Sequence, residues 1–411
     1  MAPQRPRFEV ADVVRVHGDD YRRAHLPSAA QERVLRNIAA CRTAALGGHV
    51  DECEDGCGYA RISYNSCRDR HCPKCQGPQR ADWLQRRLER LLPVPYFHVV
   101  FTLPDALNPL ALRNKALVYG LLFEAAAQTL LELAGDPKHL GADMALTAVL
   151  HTWGQNLLLH PHLHCVVTGG GLSPNGARWI AGRERYLLPV KVLGKLFRGK
   201  LLARLDQAYR SGEIELRGST AELNDPWVWA RLRDRLYRTD WVVYAKPPFA
   251  GAEQVFRYLG RYTHRVAISN HRIVDMAGGK VSFTVKDYKD DARKKTMTLD
   301  AVEFLRRFLL HVLPKGFVRI RHYGLCASRN VNSKLAAARR LLQPPAPDGD
   351  ASPAATPAAP PTWWERLREH TGIDVMQCPC CGGRLVRRPA TARELDGGLL
   401  STLARASPVA A

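Results

Sequence analysis

The sequence lacks a long uninterrupted hydrophobic run. Its most apolar stretch, residues 116–134, is broken by Glu124, Gln128 and Glu132 at four-residue spacing, which is typical of an amphipathic helix and not of a bilayer span. The first ten residues, MAPQRPRFEV, contain no hydrophobic core of a signal peptide. We therefore expect a cytoplasmic protein whose eleven cysteines stay reduced, so that their clustering indicates metal binding and not disulfides.

The chain is also poor in acidic residues. It has 39 Asp and Glu against 60 Lys and Arg, which gives a net charge of +21. Such a surface attracts polyanions, nucleic acid first and a membrane surface as the weaker alternative. With 411 residues the chain exceeds one ordinary core, so we expect two or three domains, and no internal repeat indicates a solenoid.

Composition divides the chain into four parts. Residues 1–92 form an expected N-terminal zinc-binding domain with its metal cluster at about 49–75, and residues 93–342 form the main domain. Residues 343–361 are rich in Pro and Ala and predict an extended linker. This linker predicts that a short CPCC module, residues 362–411, is separable.

Periodicity predicts an α+β fold for the main domain. Strands are expected over residues 97–103, 145–151, 162–168, 241–245, 266–268 and 281–285, and helices over 108–134, 191–209, 252–263 and 301–313.

Two closely spaced cysteine pairs predict a structural zinc site. Cys53 and Cys57 are followed by Cys72 and Cys75, a spacing typical of two chelating turns around one tetrahedral ion. Three neighbours are candidates for a second site or for alternative ligands, namely His49, Cys67 and His71. Cys41 is interpreted as a buried thiol.

The C-terminal module carries one more chelating pair. Cys378 and Cys381 flank Cys380 in the run CPCC. Two cysteines are half of a tetrahedral zinc site, so the other two ligands must come from elsewhere in the chain or from another subunit. His322, Cys326 and His370 are the candidates.

The run HPHLHCVVTGG predicts a second kind of metal site. On a strand His162 and His164 share one face and lie close enough to hold one cation, while Leu163 and Cys165 face the core. A site open to substrate oxygens polarises a phosphoryl group. A third ligand is expected, and Gln254, His98 and His160 are the candidates.

Two tyrosines, about ninety residues after the histidine pair, predict cleavage of a phosphodiester. Tyr258 and Tyr262 lie four apart in a segment that can be helical, so both phenols share a face and are candidate nucleophiles for a metal-bound phosphodiester. Arg257, Arg261 and Arg265 follow the same spacing and are candidate DNA contacts. The segments KLFRGK and KDYKDDARKK mix Phe197 and Tyr288 with charge, which suits a DNA strand with stacked bases.

At several motifs the chain resembles the HUH (two-tyrosine) rolling-circle transposases of the insertion-sequence ninety-one family. The similar stretches are YNSCRDRHCPKCQ, FHVVFTLP, HPHLHCVVTGGG, YLGRYTHRVAISN and FLLHVLPKGFVRIRHYG, which span residues from about 40 to 330. The resemblance implies a small zinc-binding domain followed by a nuclease domain with a central antiparallel sheet. It implies that His162 and His164 bind a catalytic magnesium or manganese ion and that Tyr258 and Tyr262 are the nucleophiles.

The resemblance implies a transposase that nicks and rejoins single-stranded DNA at insertion-sequence ends through a 5′-phosphotyrosine. The protein would then be located in the bacterial cytoplasm in association with the nucleoid, and a host helicase would be a further partner. One alternative is an HUH replication initiator or relaxase-like endonuclease, but no GxxxxGK[ST] motif for built-in unwinding is present. The other is a non-catalytic zinc-dependent DNA-binding protein, which leaves the histidine and tyrosine pairs unexplained.

Overall fold

The structure is a computed structural model that describes residues 6–75, 77–185, 187–246, 266–287, 290–343 and most of 362–398. In chain order its main elements are α1 (Val10–Ala24), α2 (Ala29–Ala40), β1 (Gly48–Cys53), β2 (Ala60–Tyr64), α3 (Gly77–Leu88), β3 (Tyr96–Thr102), α4 (Asn108–Arg113), α5 (Lys115–Gly135), β4 (Asp143–Trp153), β5 (Leu159–Leu172), β6 (Trp179–Ala181), α6 (Val190–Arg210), α7 (Pro226–Arg238), β7 (Val243–Lys246), β8 (Ile273–Ala277), β9 (Lys280–Asp287), β10 (Arg293–Asp300), α8 (Ala301–Leu310), β11 (Ile320–Gly324), α9 (Ala336–Leu342) and β12 (Leu385–Pro389).

A central antiparallel sheet confirms the predicted fold class. Its strands run in the order β11-β4-β5-β3-β7, and β6 pairs with β5. Strand β5 extends beyond its predicted end because its Gly-rich second half continues to pair with both β4 and β6. Helices α5 and α6 cover one face, where Leu163 and Cys165 are fully buried as expected.

Two predicted elements differ from the observed ones. The helix expected over residues 108–134 is divided at Asn114, whose side chain exchanges two hydrogen bonds with the backbone of Glu215. The strand expected over residues 266–268 is wrong, because Ala267 takes a positive φ of 59° and the Ile268 N–H bonds the Val266 carbonyl in a tight turn. The helix expected over residues 252–263 lies outside the described residues.

Helix α5 is apolar and long enough to cross a membrane by length and composition alone. However, 56% of its most apolar window is buried inside the protein, as in the core helix of a globular domain. Its polar residues face α6, where Glu124 pairs with Arg204 at 2.6 Å. The helix therefore belongs to the core under the central sheet.

A second hydrophobic core joins the N-terminal helices to the sheet β10-β9-β8 and to α8. The Val10 N–H donates to Asn270 Oδ1 at 3.2 Å, and Gln31 Nε2 donates to the Leu309 carbonyl at 3.2 Å. This packing crosses the boundary predicted at residue 92, which itself stays a prediction. It also fixes the β9–β10 hairpin beside the central sheet, since Arg272 donates to the Gln155 carbonyl at 2.6 Å.

The C-terminal module is not separable in the way we expected. Strand β12 pairs antiparallel with β1, from His49 opposite Pro389 to Cys53 opposite Leu385. It is thus the third strand of a sheet in the order β12-β1-β2. Apart from Gln343, the expected linker, residues 343–361, lies outside the described part of the chain.

Candidate active site and metal centres

His162 and His164 lie together on β5, on the sheet face away from the main core. Their Nε2 atoms are 3.0 Å apart. Two ligands bound at a right angle to one ion at about 2.1 Å would be separated by about 3.0 Å. The pair predicted from the sequence is therefore placed as two ligands of one divalent ion would be.

The third imidazole comes from the neighbouring strand β4. His151 lies directly opposite His162 in the β4–β5 register, and its ring centroid is 4.3 Å from that of His164. The three histidines each offer a ring nitrogen within 4.8 Å of the others. Sequence reasoning missed His151; its signal was a histidine at the end of a predicted strand, but the strand register was not readable from the sequence.

The candidates named for the third ligand take other positions. His98, on β3, contacts His164 through Nε2 and Nδ1 at 2.8 Å and so orients that ring without joining the cluster. His160 contributes its backbone: its carbonyl accepts a hydrogen bond from His162 Nδ1–H at 2.7 Å, which leaves His162 Nε2 with its lone pair toward the cluster. Gln254 lies outside the described residues.

Burial keeps the imidazoles of His162 and His164 neutral. It lowers the pKa of His162 to about 4 and holds the pKa of His164 well below its ordinary value, with neighbouring histidines acting in the same direction on His164. A neutral imidazole is the form that binds a metal ion. The cluster is therefore ready for a cation at neutral pH without first losing protons.

The histidines line a cleft of about 760 Å³. Trp153 stacks on His151 at 4.7 Å between ring centroids and forms part of the wall. Lys286 and Lys295, from the β9–β10 hairpin, line the same cleft, and Lys295 pairs with Asp287 at 2.9 Å and with Asp290 at 3.0 Å. The Lys286 ammonium beside a cation site suits a bound phosphodiester.

Four cysteines form a first thiol cluster. Cys41, Cys67, Cys72 and Cys75 bring their sulfurs within 4.8 Å of one another. The Cys41–Cys75 separation is 3.2 Å and the Cys67–Cys75 separation 3.6 Å. A disulfide needs about 2.05 Å, whereas tetrahedral zinc with Zn–S bonds of about 2.3 Å separates its sulfurs by about 3.8 Å.

A second thiol cluster combines the two ends of the chain: it contains Cys53, Cys57, Cys378 and Cys381. The single site predicted from Cys53, Cys57, Cys72 and Cys75 is therefore wrong in its grouping. The physical reason is the hairpin: β1 runs for about 17 Å from Gly48 to the turn that holds Cys53 and Cys57, and β2 returns the chain toward Cys67.

The other proposed ligands near these cysteines belong to neither cluster. His71 pairs with Asp69 at 2.9 Å, and His49 is a β1 ladder residue opposite Pro389. Among the partners suggested for the CPCC module, His322 contacts Thr147 and Arg87 at 3.0 Å each. Cys326 packs in the core that contains Leu325, and His370 lies outside the described residues.

Comparison with known proteins places these sites in a family. A family model described as "Putative transposase" matches residues 145–334, and one described as "Transposase zinc-binding domain" matches residues 13–103. "Putative transposase y4qJ" of Sinorhizobium fredii (strain NBRC 101917 / NGR234) is 54% identical over 374 residues, which cover 91% of this chain and 92% of that protein. The chain belongs to the insertion-sequence ninety-one (IS91) family of transposases.

A more distant relative agrees with this assignment. "Transposase for insertion sequence element IS801" of Pseudomonas savastanoi pv. phaseolicola is 28% identical over 369 residues, 86% of this chain and 82% of that protein. No solved structure gives a significant match. The matched zinc-binding region holds the whole first thiol cluster, so family and geometry together support structural zinc in this IS91 transposase.

Several predicted functional residues of the transposase lie outside the described residues: Tyr258, Tyr262, Arg257, Arg261, Arg265 and Tyr288. Their roles stay predictions. Phe197, expected to stack on bases, is instead fully buried against Phe101 and Trp241, at ring distances of 4.9 and 5.3 Å. Phe197 lies on the hydrophobic face of α6, and this face packs on the central sheet.

Proposed function

We propose that this IS91-family transposase nicks and rejoins single-stranded DNA at the ends of its insertion sequence, in rolling-circle transposition through a 5′-phosphotyrosine intermediate. The observation that carries the proposal is the convergence of His151, His162 and His164 in one cleft that lysines from the β9–β10 hairpin also line. A non-catalytic DNA-binding role does not explain why three buried imidazoles lie at the spacing of metal ligands.

The three histidines would hold one magnesium or manganese ion. Such an ion, when bound, polarises the scissile phosphate and neutralises charge that develops in the transition state. The chain's own contribution is rigidity: two paired strands set the ligand positions, and the His160 carbonyl and His98 fix the rings of His162 and His164. Lys286, which lines the same cleft, would hold a neighbouring phosphate.

Tyr258 and Tyr262 are the proposed nucleophiles. A phenol oxygen forms a bond to phosphorus while the bond from phosphorus to the 3′ oxygen breaks; the phenol proton is lost and the 3′ oxygen leaves as a hydroxyl. The second tyrosine or that hydroxyl then resolves the link by a further transesterification; when the hydroxyl attacks the phosphotyrosine, a bond from phosphorus to the 3′ oxygen forms and the phenol leaves with its proton restored. Bond energy is thereby conserved without ATP. Arg257, Arg261 and Arg265, at the same four-residue spacing, would contact the DNA backbone.

The test is direct detection of the covalent adduct. Purified protein is incubated with single-stranded element ends labelled at either terminus, with magnesium, manganese or a chelator of both. We expect a denaturation-resistant adduct that carries the label of the strand 3′ to the nick and requires the divalent ion. Cleavage without an adduct, or an adduct on the 3′ phosphate, would refute the proposed chemistry. A duplex of the same sequence is the control for strand preference.

A further inference from the structure

We propose that Cys53, Cys57, Cys378 and Cys381 bind a second zinc ion, which fastens the C-terminal segment to the N-terminal hairpin. This site is separate from the first thiol cluster and joins residues more than three hundred positions apart in the sequence, such as Cys53 and Cys381. The proposal is independent of the proposed nuclease chemistry.

The sulfur positions fit a tetrahedral ion. Cys53 Sγ lies 3.4 Å from Cys381 Sγ, and Cys57 Sγ lies 3.6 Å from Cys378 Sγ. All four sulfurs lie within 4.8 Å of one another, close to the spacing of about 3.8 Å around zinc and well beyond a disulfide bond. An all-thiolate tetrahedron selects zinc over harder ions such as magnesium.

The two chelating turns are shaped for thiolate ligands. In the CPCC turn the backbone N–H groups of Cys381 and Cys380 donate to the sulfur of Cys378, which disperses its negative charge. The turn is closed by the Cys378 N–H bonding the Gly383 carbonyl at 2.7 Å and by the Gly382 N–H bonding the Cys378 carbonyl at 2.9 Å. Cys53 and Cys57 lie at the tip of the β1–β2 hairpin. The pairing of β12 with β1 places the CPCC turn next to this tip.

The surrounding contacts dock the C-terminal segment on the same sheet. Asp51 is almost fully buried between Arg61 at 3.0 Å and Arg387 at 2.7 Å. Tyr64 donates its hydroxyl to the Leu395 carbonyl at 3.2 Å, and Glu54 N–H bonds the Arg384 carbonyl at 2.9 Å. These contacts set the register that brings the two cysteine pairs together.

The sheet needs the metal because its apolar interior is small. Among the described residues of β1, β2 and β12, the buried apolar side chains are Val50 and Leu385. A three-stranded sheet with so little apolar burial gains its stability from ligation, since free energy of metal binding is free energy of folding when the apo form is unfolded. The second zinc would thus determine whether the C-terminal segment stays attached.

Zinc content of the full-length chain, purified under reducing conditions, tests the proposal. We expect two zinc ions per chain, one in Cys378→Ser and Cys381→Ser, and two in Cys380→Ser, the matched control between the two ligands. Cys72→Ser should also retain one, because it removes a ligand of the other cluster. Unchanged zinc in Cys378→Ser, or a Cys53–Cys381 or Cys57–Cys378 disulfide in non-reducing peptide mapping, would overturn the second site.

A second measurement decides the case in which Cys378→Ser loses all its zinc through misfolding. A protease recognition sequence is inserted between residues 344 and 361 and cleaved in the folded protein. The C-terminal fragment should co-elute with the rest of the chain in zinc buffer and separate after a chelator is added, and it should remain bound in the Cys72→Ser background. A fragment that separates with zinc present, or stays bound after chelation, contradicts the proposal.

Discussion

His151 and His162 face each other directly across the β4–β5 pair. Side chains at such opposed positions have Cβ atoms about 4.5–5.5 Å apart, so one ring from each strand can reach the same point, and His164 adds a third from the next position on that face of β5. The positions of the three candidate ligands are therefore fixed by the hydrogen-bonded ladder and not by a loop. A site held in this way needs little rearrangement when a cation binds.

Replacing His151, the candidate third ligand, should separate catalysis from DNA binding. In His151→Ala we expect adduct formation to fall by about 100-fold or more, because two imidazoles hold the ion too weakly to polarise the phosphate. Affinity for single-stranded DNA should change by less than about twofold, since it comes mainly from Lys and Arg contacts to phosphates. Adduct yield and fluorescence anisotropy measure the two effects. His160→Ala, which keeps the backbone carbonyl, is the control; equal loss in both variants would exclude a ligand role for His151.

His98 should act through His164 and so affect metal affinity more than the maximal rate. Its contact with His164 Nδ1 at 2.8 Å orients that ring, and loss of such a partner lowers metal affinity by about 10- to 100-fold. In His98→Phe the manganese concentration for half-maximal adduct formation should rise by that factor. At saturating manganese the rate of His98→Phe should recover. The half-maximal manganese concentration of His98→Gln should lie between those of the wild-type chain and His98→Phe. If high manganese does not restore the rate, His98 is instead a metal ligand or a residue that the fold requires.

His311 predicts an acid-sensitive step in stability. It is fully buried, its Nε2–H donates to the Leu157 carbonyl at 3.0 Å, and its Nδ1 accepts from Thr152 Oγ1 at 3.1 Å. Burial lowers its pKa to about 3, whereas the unfolded chain takes up a proton below about pH 6.5. The unfolded state then binds more protons, so the free energy of unfolding falls as the pH drops through this window, by about 2 kcal/mol between pH 7 and pH 5.

Denaturant unfolding at several pH values checks this step. His311→Gln lowers stability at pH 7 but lacks the proton uptake, so its difference from the wild-type chain should shrink by about 2 kcal/mol at pH 5. A difference that stays constant with pH would mean that His311 takes up its proton at the same pH in the folded and the unfolded protein.

The cleft lysines should contribute to DNA affinity without sequence preference. Lys286 lines the same cleft as the histidines, whereas Lys280 lies at the far end of β9. Loss of one phosphate contact to a single strand lowers the slope of log affinity against log salt by about 0.7. We expect this change in Lys286→Ala and none in Lys280→Ala, measured by anisotropy titrations at several salt concentrations. Equal slopes in both variants would place the DNA elsewhere.

Local periodicity was sufficient for part of this site. Alternation alone put His162 and His164 on one face and Leu163 in the core, because a strand with one buried face specifies its own register. The partners were not local. His151 joins them through the β4–β5 register, and Cys378 joins Cys57 only because β12 returns to β1, where Asp51 meets Arg387 336 positions away. Which chelating pairs share an ion is decided by the hairpin between them, and no spacing rule encodes that.

The last prediction concerns the two tyrosines, whose roles rest on the sequence. Tyr258→Phe and Tyr262→Phe each remove one hydroxyl with almost no change in shape, so folding, zinc content and DNA affinity should stay within about twofold of the wild-type chain. If both phenols are nucleophiles, each single variant retains some 5′-linked adduct or stops at a distinct stage, and the double variant forms none. Their four-residue spacing predicts this because helical neighbours reach one site. Tyr244→Phe, an exposed tyrosine on β7, is the matched control. An adduct in the double variant would refute the assignment, and loss confined to one single variant would leave one nucleophile.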